Sequence, residues 1–88
     1  MAYSKVITAT ANVKPSAGKL RGFFCSAASS TPTVTIYNSA AATTTTKVID
    51  TFTPVAGTNY LFPGDGIWCD DGIYVVIANT VTLSVIYE

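Results

Sequence analysis

"IYVVIANTVTLSVIYE", residues 73–88, decides how the whole chain is read. From Val81 onward the apolar residues fall at every second position, Val81, Leu83, Val85 and Tyr87, with Thr82, Ser84 and Ile86 between them. A two-residue period places these sets on opposite faces of a β-strand, so the first set is expected in the core. Upstream, residues 73–77 are apolar on both faces except for Tyr74, the pattern of a central strand covered on both sides. The Ala-Asn-Thr step at 78–80 reads as a turn between two strands.

The same alternation can be followed outward. β-Branched and aromatic residues recur in runs at 3–13, 19–26, 33–37, 47–53, 58–62 and 66–69, divided by "KPSAG", "SAASSTP", "PVAGTN" and "PGDG". No stretch shows the 3.6-residue apolar period of a helix. The chain is therefore expected to be all-β, a compact antiparallel sandwich or jelly-roll-like small barrel of about eight short strands. Residues 1–88 form a single β domain, with 1–13 as an N-terminal arm or edge strand. The expected core is Leu20, Phe24, Val34, Ile36, Ile49, Val75, Ile77, Val81, Leu83 and Val85. Asp65-Gly66 and Asp71-Gly72 are type I′ hairpin dipeptides and should close a tight meander around "IWCD".

Bulk composition turns attention from chemistry to association. Hydrophobic residues make up 49% of the chain and charged residues 11%, with no net charge; an ordinary soluble domain is roughly 25% charged. A chain this short buries only about 60–65% of its unfolded surface, so its own core is thin. A neutral, charge-poor surface over a thin core favours assembly with other subunits. Lys5, Lys14, Lys19, Arg21 and Lys47 all precede Asp50, and every charged residue from Asp50 onward is acidic. That order suits head-to-tail packing unless folding interleaves the two halves.

Histidine is absent, which removes the commonest general base and transition-metal ligand. No serine sits in a nucleophile elbow, no C-x-x-C occurs, and the glycines form no phosphate-binding loop. Asp70 and Asp71 are adjacent in an extended segment and point to opposite faces, so they read as turn residues rather than a carboxylate pair. The expectation is no enzyme activity, no metal and no cofactor. A pI near 6.1 gives no basic field for nucleic acid, although Lys14, Lys19 and Arg21 with Phe23 form a small basic and aromatic edge. The longest apolar run falls far short of a membrane span, and no signal-peptide core precedes the domain, so synthesis in a cytoplasm is expected. Cys25 and Cys69 then read as buried free thiols.

Two features remain. Trp68, Tyr60, Tyr74 and Phe62 could form a sugar-stacking platform, or serve as core and subunit contacts, which a small domain needs more. The tract "NSAAATTTTKVID" at 38–50 is too Thr-rich for a flexible linker; it reads as a loop at 38–42 running into an extended segment on a sheet edge or subunit contact.

With these elements in order, "SAGKLRGF", "VIDTFTPVAGTNYLFP", "DGIYVVI" and "VTLSVIYE" carry a resemblance over residues 13–88. The chain resembles the small β-rich virion proteins of tailed bacteriophages, of the capsid decoration (cement) or head-fibre-base type. The resemblance implies a small β-sandwich subunit, often trimeric, bound to the major capsid protein on the head surface of the virion and made in the host cytoplasm. The Ala-Thr tract and Trp68 lie outside that pattern. The alternative is a carbohydrate- or receptor-binding module displayed on a virion or tail. Candidate subunit or capsid contacts are Lys14, Lys19, Arg21, Thr43, Thr44, Thr45, Thr46, Lys47, Tyr60 and Trp68.

Overall fold

A computed structural model describes residues 3–40, 46–62 and 66–88 of the chain. These residues are all-β, in the order β1 (Tyr3–Ile7), β2 (Ala11–Lys14), β3 (Gly18–Tyr37), β4 (Lys47–Phe52), β5 (Thr58–Leu61), β6 (Ile67–Cys69) and β7 (Ile73–Tyr87). Two long strands organise everything else. β3 and β7 pair antiparallel along their whole length, from Leu20 opposite Tyr87 to Tyr37 opposite Tyr74. β1 and β2 add to β7, while β4, β5 and β6 add to β3.

This differs from the expected pairs of short strands, because neither "SAASSTP" nor "ANT" ends a strand. The two turn signals lie opposite each other, Ser29 across from Thr80 and Thr33 across from Ala78, with a register shift between them. Thr31 (φ 50°) and Asn79 (φ 66°) both take the left-handed conformation there. A bulge raises local twist and bends a ribbon without ending its ladder, so the β3/β7 ribbon curls over at this point. One half-sheet holds β1, the C-terminal part of β7, the N-terminal part of β3, and β5 with β6. The other holds β2, the N-terminal part of β7, the C-terminal part of β3, and β4.

Both halves contribute to one core. Leu20, Phe23, Cys25, Val81, Leu83 and Val85 come from the first half-sheet, and Val34, Ile36, Ile73 and Val75 from the second. Phe23 stacks on Phe52 of β4 at 5.6 Å and on Tyr60 of β5 at 5.0 Å, with the Phe62 ring edge-on at 6.0 Å. Each such pair contributes about 0.5–1.5 kcal/mol beyond the area it buries.

The expected core is corrected at Phe24. It is half-buried and faces away from the core, and Phe23 takes the inward position. Counting in twos from Leu20 leads to Phe24, but the register shifts between Leu20 and Gly22, which inserts Arg21 as an extra residue. One extra residue exchanges the faces of all that follow. Ile49 and Ile77 are only partly buried against the core, while the remaining expected core residues are buried.

The meander expected around "IWCD" is also corrected. β6 pairs with β3, Lys19 opposite Trp68, and β7 begins in the other half-sheet beside β2. Gly72 (φ 156°) is a corner between the halves: a Cβ there would lie 2.5 Å from the Lys14 carbonyl oxygen and 2.6 Å from that of Ser39. Asp65 lies outside the described residues. The run at 3–13 divides into two strands that flank opposite ends of β7, and β1 is an edge strand.

Candidate interaction surface

The bend in the ribbon returns both ends of β3 and β7 to one end of the molecule. There Glu88 N–H donates to the Lys19 carbonyl at 2.8 Å, and Ser39 N–H donates to the Gly72 carbonyl at 3.2 Å. Asn38 latches the two halves. Its side-chain amide donates to Asp70 at 2.6 Å, and its Oδ1 accepts from the N–H groups of Asp71 (2.9 Å) and Gly72 (3.3 Å). A single side chain thus satisfies two backbone donors that a tight corner would leave open. Nothing in the sequence marked Asn38, because its partners are more than thirty residues away.

Of the candidate residues, the fold gathers Lys14, Lys19, Arg21 and Trp68 at this end. Lys14 runs along the start of β3, since a Cβ on Gly18 would lie 2.4 Å from its Cδ and Cε. Arg21, the bulged residue, forms an ion pair with Glu88 and holds that carboxyl below its ordinary pKa. Thr46 is exposed and its carbonyl accepts from Asn38 N–H at 2.9 Å. Lys47 opens β4 and pairs with Asp50 at 3.0 Å, which raises the lysine pKa and lowers that of the aspartate. Thr43, Thr44 and Thr45 lie outside the described residues. Tyr60 faces the core; its ring stacks on Phe23 and its hydroxyl accepts from Val55 N–H at 3.0 Å.

The charge order along the chain does not survive as separate patches. Arg21 meets Glu88, and Lys47 meets Asp50, within one copy. Arg21–Glu88 joins the two halves of the chain within one copy, and Lys47–Asp50 is a local pair three residues apart. The four aromatics also fail to converge. Tyr60 and Phe62 pack on Phe23, Tyr74 pairs with Tyr37 at 6.4 Å, and Trp68, 60% exposed, has no aromatic partner among the described residues.

Exposed large apolar side chains have a definite distribution. Tyr3 (55%) and Val6 (64%) lie on β1; Leu61 (65%) lies on β5, Trp68 on β6, and Val55 in the loop leading to β5. β1 and β5/β6 are the two opposite edges of the first half-sheet, with β7 and β3 between them. The register aligns Val6 with Ser84, Phe24 and Asn59, and Ser4 with Ile86, Gly22 and Leu61. Val6, Phe24, Ile86 and Leu61 therefore share the half-sheet's outer face. Gly22 sits in the middle of that face, where a Cβ would lie 2.5 Å from the Tyr60 carbonyl oxygen.

Cys25 and Cys69 are both free and buried, and burial pushes both thiols above their ordinary pKa. No protein-family model, curated protein or solved structure matches this chain.

Proposed function

We propose that this chain is a non-enzymatic structural subunit of a tailed-bacteriophage virion, a decoration or cement protein that docks on the head and bridges neighbouring copies of the major capsid protein. It works as a homo-oligomer, most simply a trimer. The observation that carries this reading is the exposure of large apolar side chains along both edges of one half-sheet in a domain with so few charges. Such edges call for protein partners. The resemblance carried by "VIDTFTPVAGTNYLFP" and "VTLSVIYE" supplies the kind of partner. Antibody labelling of purified particles tests it: label spread over the head supports decoration, and particles free of label reject it.

A second reading is favoured by one residue. Trp68 is exposed opposite Lys19, an aromatic face beside a hydrogen-bond donor, as a sugar site requires. A glycan array with specific binding lost in Trp68→Ala would favour a receptor-binding module over decoration.

A further inference from the structure

We propose that the two apolar edges of the first half-sheet are the two halves of one joint: β1 of one copy pairs with the β5/β6 edge of the next, closing a heterologous ring. This rests on the self-association part of the reading above, not on the particle to which the ring is fixed.

Strand direction provides the geometric argument. Across the half-sheet the neighbours β1, β7, β3 and β5 are each antiparallel to the one before. An even number of alternating strands gives the two edges opposite directions. Copies related by rotation about an axis along the strands can therefore set β5 of one beside β1 of the next, antiparallel, with no strand reversed. The partners also match in length, five residues in β1 and four in β5. β1 runs through its pairing with β7 without a register shift, whereas β2 and β4, the edges of the other half-sheet, are both broken by shifts. Bulged edges resist pairing and regular ones invite it.

Charge selects between the two ways of using β1. Lys5 is the middle residue of the strand and is exposed. A two-fold β1–β1 pair that used the whole strand would set Lys5 against Lys5, a like-charge cross-strand pair that destabilises. It would also leave Leu61 and Trp68 uncovered. Val6 and Leu61 stand on the same outer face, so the joint would make them cross-strand neighbours beside its backbone ladder.

Cross-linking of the full chain tests the joint. Val6→Cys and Leu61→Cys, both at exposed positions, are prepared separately and treated with a short bifunctional maleimide, alone and mixed, with the natural chain as the control for Cys25 and Cys69. The proposal expects linked dimers in the mixture and far fewer from either variant alone, and linked closed trimers from the double variant. Linkage in Val6→Cys alone at the level of the mixture would overturn it in favour of a two-fold pair. Absence of linkage in the mixture would overturn it as well. A linked ring that does not bind phage heads removes the decoration reading and leaves the joint; an unlinked chain that binds heads does the reverse.

Discussion

The Asn79 side-chain amide donates to the Thr31 carbonyl at 3.2 Å, across the point where the β3/β7 ribbon bends. Both residues have positive φ. For a β-branched residue such as Thr31 this conformation costs about 1–2 kcal/mol, so the bend is held against local preference by the core that both half-sheets share. Asn79→Val should destabilise by about 2–3 kcal/mol, combining a β-branched side chain in the left-handed region with a lost hydrogen bond. Thr31→Gly should be within about 1 kcal/mol of neutral, because relief of strain offsets added chain entropy. Urea unfolding measures both; equal losses for the two variants would show that conformation does not control the bend.

The bulge at Arg21 makes Phe23 and Phe24 unequal. Phe23→Ala removes a ring that is 2% exposed and touches three others, and should cost about 3–5 kcal/mol. Phe24→Ala, on the outer face, should cost about 1 kcal/mol in the isolated subunit. Val75→Ala, in the core near the start of β7, should cost on the order of 1–3 kcal/mol. A larger loss at Phe24 than at Phe23 would place the register one residue away.

Much of this was legible in the sequence. The alternation at Val81, Leu83 and Val85 identified an all-β chain, and these residues are buried as expected. Continuity was not legible. "SAASSTP" and "ANT" carry turn chemistry, and only their position opposite each other lets the ladder run through both. The exchange of Phe23 for Phe24 was hidden for a similar reason, since a bulge depends on the partner strand. Trp68, a candidate contact from the sequence, is exposed, whereas Val6 and Leu61 are exposed without having been singled out, because an apolar residue in a strand reads as core unless its edge position is known. Asn38 carried no local signal.

Both thiols should remain silent in the folded chain. Cys25 and Cys69 are fully buried and their pKa values are raised, so a thiol reagent at neutral pH should react only on unfolding, and the non-reduced mass should be that of the dithiol. Rapid labelling of the native chain would mean that the half-sheets part readily.

Acid should weaken the corner at Arg21. Glu88 has a lowered pKa in the folded chain, chiefly from its bond to Arg21, so its contribution is present above the ordinary carboxyl pKa and is lost as pH falls through the lowered folded value. Asp50, lowered by Lys47, has the same sign. Stability should therefore decline below about pH 4, and Glu88→Gln should flatten part of that decline while reducing stability at neutral pH. An unchanged acid profile in Glu88→Gln would remove the ion pair from the account.

Sedimentation equilibrium of the full chain at micromolar concentration, at low and high salt, tests most directly whether this domain is built for assembly. The account predicts a mass near three times the 9.2 kDa chain, reduced only slightly by salt because the visible ion pairs close within each copy and the edges are apolar. A monomer under both conditions, or a dimer that salt does not alter, would contradict it.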